Sequence, residues 1–251
     1  MLRLFQKSIK TGIVTTSYPE QPDFPAEGFR GLPARAQEKC HQCGNCAEVC
    51  LSGAITVRQG DSNTSGVFWT LDPKRCLFCG YCAEDCPSGA ITMGREFELA
   101  ERAEMPELAD GVKSESDNVK KIFGRSVHIR HLDAGSCNGC DWEMTTLTGP
   151  VYDVQRLGFD FVASPRHADI LMVTGPVTRN LEIAALKTYR ATPAPKLVVA
   201  VGTCACSGGI CGKNYTSAGG VNQILPVDVY IPGCPPRPQA LIRGLLKAVG
   251  R

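Results

Sequence analysis

The sequence predicts two unlike halves: an α+β module built on a duplicated cysteine loop, then an α/β domain with a parallel sheet. Two observations carry this. The run CHQCGNCAEVCLSGAIT from Cys40 recurs as CLFCGYCAEDCPSGAIT from Cys76, with every cysteine displaced by the same offset. Beyond residue 122, five short apolar runs alternate with helix-like stretches, the pattern of strands joined by crossover helices. A chain of 251 residues has room for one or two domains.

Composition removes several classes. A net charge of +2 offers no field for nucleic acid or an acidic substrate. No apolar run reaches the ~18 residues of a transmembrane helix. The leader MLRLFQKSIKTGIVTTSYPE is basic but lacks the apolar stretch of a signal peptide, so a cytoplasmic chain is expected. Fourteen cysteines in a reducing compartment point to metal binding rather than disulfides.

Each copy of the repeat spaces its cysteines C-x2-C-x2-C-x3-C. Three thiolates two residues apart can converge on one cluster, while the fourth reaches the other copy's cluster, as in bacterial two-cluster ferredoxins. Cys40, Cys43, Cys46 and Cys86 are therefore expected at one [4Fe–4S] site, and Cys76, Cys79, Cys82 and Cys50 at the other. Structural zinc, which pairs two C-x2-C units across a longer gap, and disulfides are the competing readings. Cys86-Pro87 keeps the ferredoxin pattern and Cys50-Leu51 departs from it without loss of a ligand. His41 reads as a loop residue, with proton coupling to the cluster the alternative.

Between the copies, Thr56-Val57 and Val67–Thr70 read as short strands around a turn. Residues 94–121 turn charged; Glu96–Glu104 is expected as a short helix ending near Pro106, and the rest as exposed linker. Five strands follow: Val127–Leu132, Phe159–Ala163, Asp169–Val173, Leu197–Val201 and Val227–Ile231. Helices are expected over Leu181–Tyr189 and Pro238–Val249.

The remaining six cysteines all fall after the carboxyl ends of predicted strands: Cys137 and Cys140 in AGSCNGCDWEM, Cys204, Cys206 and Cys211 in GTCACSGGICG, and Cys234 in PGCPPRP. In open α/β sheets that edge binds ligands. Neighbouring glycines (Gly135, Gly139, Gly202, Gly233) allow backbone to approach a bulky group. Four of the six would complete a third cluster. Buried cysteines packed as small hydrophobes and a zinc site are the alternatives.

The first 93 residues resemble the eight-iron ferredoxin subunit of respiratory complex I and of membrane-bound [NiFe] hydrogenases, leader included. That resemblance implies a ferredoxin-like module whose leader lies along partner subunits near the membrane; a solvated tail is the plain alternative. CNGCDWE, GTCACSGG and PGCPPRP, within residues 122–251, resemble the small subunit of complex-I-like [NiFe] hydrogenases of the energy-converting and formate hydrogenlyase types. That implies a flavodoxin-like α/β domain, a fusion of two usually separate subunits, and a proximal cluster on Cys137, Cys140, Cys204 and Cys234. Cys206 and Cys211 then fall outside the ligand set, as packed or weakly reactive thiols. Glu143 resembles a family acidic residue, read as a proton relay or a backbone partner. Arg166 and His167 are read as surface capping or pairing groups, or as facing a partner, and Asp141 as a local turn or helix-start residue.

No Ser/His/Asp arrangement, P-loop or GxGxxG is present. The expected role is an electron wire of three [4Fe–4S] clusters, without a complete active site of its own. Expected partners are a [NiFe]-hydrogenase-like large subunit holding the NiFe centre, membrane-arm subunits, and a soluble ferredoxin or other redox subunit. The expected location is the inner face of the cell membrane, reached through those partners. The main rival is the proximal-cluster subunit of a complex-I-type quinone oxidoreductase or of a nickel-free hydrogenase-derived complex. The C-N-G-C spacing favours the hydrogenase, since the quinone reductase subunit has adjacent cysteines there. A stand-alone ferredoxin carrier joined to a structural domain is a third class.

Overall fold

The computed structural model describes residues 2–59, 67–103 and 126–251. An amphipathic helix α1 (Leu2–Thr11) leads the chain, with Leu4, Phe5 and Ile9 exposed. The duplicated module follows as β1 (Pro33–Arg35), α2 (Asn45–Glu48), β2 (Ile55–Gln59), β3 (Val67–Leu71), α3 (Tyr81–Glu84) and β4 (Ile91–Met93). Each sequence copy is thus a strand, a cysteine loop, a one-turn helix and a strand. β2 pairs antiparallel with β3, and β1 with β4, so the outer strands of the two copies close on each other. Each one-turn helix starts behind a left-handed glycine, Gly44 at φ 87° and Gly80 at φ 88°. That conformation turns the chain straight from one cysteine loop into the helix carrying the third cysteine, and a Cβ would strain it. The core here is small: Ile55, Ile91 and Cys82, flanked by Val57, Trp69 and Leu71.

The second half contains β6 (Val127–Asp133), α4 (Gly139–Thr146), β7 (Phe159–Phe161), β8 (Ile170–Thr174), α5 (Arg179–Ala191), β9 (Leu197–Val201), α6 (Gly202–Ser207), β10 (Val229–Ile231) and α7 (Pro238–Ala248). The five strands are parallel, in the order β10-β9-β8-β6-β7. ILMVT and LVVAV of β8 and β9 are buried on both faces, as central parallel strands require. One face packs Val127, Ile129, Phe159, Met172 and Ile231 on Leu241, Ile242 and Leu245 of α7. The other packs Leu171, Val173, Val198 and Ala200 against Ala205, Val221 and Leu225. The expected strands recur with ends shifted by one or two residues, the ordinary uncertainty of element boundaries.

One expectation fails. Glu96–Glu104 is not helical over its described part, residues 96–103. Glu101–Arg102 forms β5, which pairs antiparallel with β10 and adds a sixth strand to the sheet edge. Nor is this stretch a solvated linker, because Ala100 is buried in the α/β core and Phe97 packs on it. Arg102 donates to the carbonyls of Lys247 and Ala248 at the end of α7, and Lys247 Nζ donates back to Ala100 O at 2.7 Å. Those long-range bonds outweigh the helix propensity of ELAERAE. The rest of the expected linker, from residue 104, lies outside the described residues.

The halves are also laced together at the leader. Thr16 N donates to Val151 O at 2.8 Å, and Arg156 donates to the carbonyls of Thr16 and Tyr18. Tyr18 is buried in the α/β core and donates to Glu98 Oε1 at 2.7 Å. Asp23 accepts from Arg237 at 2.9 Å and from Gln239, and Arg237 stacks on Phe97 and Phe29.

Candidate metal centres

At the first site, Cys40, Cys43, Cys46 and Cys86 line one small apolar cavity with His41, Val57, Trp69 and Ile91. The fourth thiol is contributed by the second copy. Gln42 adopts φ 59°, and Phe78 at the matching position of the other copy adopts φ 56°. A left-handed residue other than glycine is costly and is tolerated where the loop is held for function. Burial pushes the Cys46 thiol up, partly offset by Trp69. That opposing group is the Trp69 indole N–H, which is buried and faces the Cys46 sulfur. Arg35 Nη1 lies 4.0 Å from Cys40 Sγ. Cys86 moves the other way: burial, the largest single cause, raises it, but Ser88 and the backbone N–H groups of Ile91 and Ala90 together lower it by more.

At the second site, burial and then Cys82, Cys50 and Cys79 push Cys76 up to about 11, with only Phe78 N–H opposing. Cys82 is likewise pushed up to about 11 by burial and by Cys79, Cys50 and Cys46. Burial is the larger cause in both, and Cys50, Cys79 and Cys82 all act on Cys76, as members of one group do. Two backbone donors already face sulfur: Ala54 N to Cys50 Sγ at 3.2 Å and Phe78 N to Cys76 Sγ at 3.4 Å.

The third site is assembled from loops at the carboxyl edge of the sheet. Cys137 and Cys140 follow β6, Cys204 follows β9 on α6, and Cys234 follows β10. Burial, then Cys204, Cys234 and Cys137, raise the Cys140 thiol strongly. Cys204 is pushed up to about 11 by burial and by Cys234, Cys137 and Cys211. Glycine is required at two positions: a Cβ on Gly202 would come within 2.4 Å of Cys140 Sγ, and one on Gly209 within 2.9 Å of Cys204 Sγ. Cys206 is buried, with its sulfur 3.6 Å from Ala200 O, and packs in the core. Cys211 is exposed.

Beside this site a polar network ties strand ends together. Asp141 accepts from Thr174 Oγ1 at 2.8 Å and from Ser136 Oγ, and lies 3.1 Å from His131 Nε2. Burial lowers the His131 pKa, against the opposing pull of Asp141 and Asp133. Sequence reading placed Asp141 in a local turn or at a helix start; its tie to β6 and β8 needed the fold. Glu143 lines a cleft with Cys234, Phe97 and Arg237, and burial raises its carboxyl while Arg237 opposes. Arg166 and His167 sit on the surface before β8, at the opposite edge from the cysteines.

Among the described residues, no three His, Cys, Asp or Glu side chains converge tightly enough for a single metal ion. Grouped thiols, backbone and indole N–H groups facing sulfur, and glycine-lined cradles fit an iron–sulfur group. The raised thiols are protonated in the apo fold, so loading such a group displaces protons.

Known proteins place this arrangement. The NADH ubiquinone oxidoreductase, 20 Kd subunit family matches residues 137–248, and the 4Fe-4S dicluster domain matches residues 39–90. The probable membrane-bound hydrogenase subunit mbhJ of Pyrococcus furiosus is 47% identical over 51% of this chain and 77% of its own length. Formate hydrogenlyase subunit 7 of Escherichia coli is 43% identical over 56% of this chain and 55% of its own length. An NADH-quinone oxidoreductase subunit of Carboxydothermus hydrogenoformans is 38% identical over 54% of this chain and 91% of its own length. With one such relative matched over most of its length and the family's cysteine-bearing region covered from Cys137 onward, the chain belongs to the NADH ubiquinone oxidoreductase 20 Kd subunit family, a family of oxidoreductase-complex subunits, and carries a 4Fe-4S dicluster region ahead of it.

Proposed function

We propose that this chain is the electron-transfer subunit of a membrane-associated complex-I-like [NiFe] hydrogenase, and that it relays electrons through three [4Fe–4S] clusters. The ligand sets are Cys40, Cys43, Cys46 and Cys86; Cys76, Cys79, Cys82 and Cys50; and Cys137, Cys140, Cys204 and Cys234. The observation that carries the reading is the adjacency of the last two sets: Thr203, the residue before Cys204, donates its hydroxyl to Cys76 O at 2.8 Å. Bound clusters would supply one-electron chemistry, and the protein sets their potentials through hydrogen bonds to sulfur, burial and charge. At the first site Arg35 and Trp69 supply charge and an N–H; at the second, Ala54 and Phe78 supply backbone N–H groups.

The parallel strands run in the flavodoxin-like order, with the ligand edge at their carboxyl ends. The two modules, 1–93 and 122–251, act as one wire, and their fusion fixes stoichiometry and effective concentration. Cys137 and Cys234 are exposed, and Trp142, two residues after Cys140, is 72% exposed. That accessible edge supports docking of a large subunit with a NiFe centre. No helix among the described residues is long and apolar enough to cross a membrane, so association runs through membrane-arm partners. The C-N-G-C spacing sets this reading ahead of a quinone-reducing or nickel-free complex.

The test is metal analysis of the native complex isolated through this chain. About twelve irons per chain, from three four-iron clusters, with stoichiometric nickel is the expected result. Iron near twelve with background nickel would move the far end of the wire to another acceptor, and iron near eight would remove the third site.

A further inference from the structure

We propose that the Thr203 hydroxyl is the through-bond bridge for electrons between the second and third cluster sites, an inference that rests on the three-cluster reading. Thr203 is 1% exposed and immediately precedes Cys204. Its Oγ1 donates to Cys76 O at 2.8 Å, on a ligand residue of the second site. The same hydroxyl lies 3.1 Å from Gly233 O, and Thr203 N donates to that carbonyl at 2.8 Å. Gly233 immediately precedes Cys234. One buried hydroxyl therefore stands among the backbones of Cys76, Cys204 and Cys234, joining both ligand sets.

Both neighbouring carbonyls are acceptors, and a threonine hydroxyl has a single proton to give. The hydrogen bond is shared between them, with the shorter arm reaching across the module boundary. Tunnelling decays less steeply through covalent and hydrogen bonds than through a packing gap. The path runs from Cys76 sulfur through its own carbonyl, across the hydrogen bond, and along Thr203 and the next peptide to Cys204 sulfur. One electron leaves the reduced cluster held by Cys76 and reduces the oxidised cluster held by Cys204; Thr203 is neither oxidised nor deprotonated.

A second tie across the same boundary provides the control. Ser207 Oγ donates to Lys74 O at 2.9 Å, one helical turn further along α6, and both of its ends lie off the ligands. It fastens the modules without joining two ligand residues. Ser207→Ala therefore tests mechanical loosening, and Thr203→Val tests the bridge.

The experiment is flash photoreduction of the holo full chain, with the arrival of the electron at the third site followed by freeze-quench electron paramagnetic resonance. Thr203→Val is expected to slow that step several-fold with iron content and all three cluster signals unchanged. Thr203→Ser, which keeps the hydroxyl, and Ser207→Ala are expected at the wild-type rate. If Thr203→Val cannot hold the third cluster, Thr203→Ala, smaller than the native residue, makes the same comparison. A wild-type rate in a valine or alanine variant with all clusters present overturns the bridge, as does equal slowing in Ser207→Ala. Absence of a third signal in the wild-type chain would instead sink the three-cluster reading.

Discussion

Between Cys40 and Cys86 every cysteine sits in one of two copies of a short loop; three neighbours in sequence share a site, and the fourth member comes from the other copy. Between Cys137 and Cys234 the ligand candidates come from loops after β6, β9 and β10, brought together only by the strand order. The first region is specified by spacing and the second by topology. Their cores differ in the same sense. The repeat module has three buried residues at its centre, Ile55, Cys82 and Ile91, one of them a ligand candidate. The α/β domain buries two broad faces of its sheet and places its cysteines at the rim. A small core makes metal part of the fold, whereas a large core makes metal a passenger on it.

The largest expected effect follows directly. Removing iron with a chelator should unfold the repeat module and leave the parallel sheet standing. In hydrogen exchange, amides of β2, β3 and β4 should lose protection while those of β8 and β9 keep theirs. Equal loss in both halves would break the comparison and make the cysteine edge structural in the second half as well.

Leu241→Ala probes the opposite dependence. Leu241 is fully buried under the sheet, and truncating it should cost about 2–5 kcal/mol. Denaturant unfolding followed by far-ultraviolet circular dichroism should report that loss, while the iron of the repeat module stays bound. Next in size is Cys234→Ala, expected to lower the iron content by about four per chain, one [4Fe–4S] cluster, with no change in the exchange of β2 and β3. Retention of all iron would remove Cys234 from the ligand set.

What could be read in the sequence follows the same division. The cysteine spacing identified the repeat module because three of the four members of each set lie within one short loop. The apolar runs identified β8 and β9 because both faces of those strands are buried. The edge strand β5 was missed: Glu101 and Arg102 are polar, and only their backbone pairing with β10 makes them a strand. Helical propensity in ELAERAE pointed the wrong way because it measures the isolated segment. Tyr18, Asp23 and Arg237 gave no signal either, since what matters is a long-range contact: the leader returns to the α/β core and to α7. Arg35, set beside Cys40 and 5.4 Å over the Trp69 ring, is a site residue whose spacing from the cysteines carries no motif.

The smallest effect belongs to the cysteines that the second region does not need. Each of the eight in the repeat copies is a ligand candidate, so replacing any of them should release iron. In the α/β domain two should be silent. Cys206 faces the core with its sulfur near Ala200 O, and burial keeps its thiol protonated well above the ordinary range. Cys206→Ala should leave iron unchanged and cost about 1 kcal/mol, the scale of one buried methylene-sized group. Cys211 is exposed but close enough to Cys204 to raise that thiol. Cys211→Ser should leave both iron and stability unchanged, by metal analysis and thermal unfolding. Iron loss in Cys211→Ser would mean that the loop after α6 supplies two ligands to the third site, and that strand topology alone does not select among thiols at the edge.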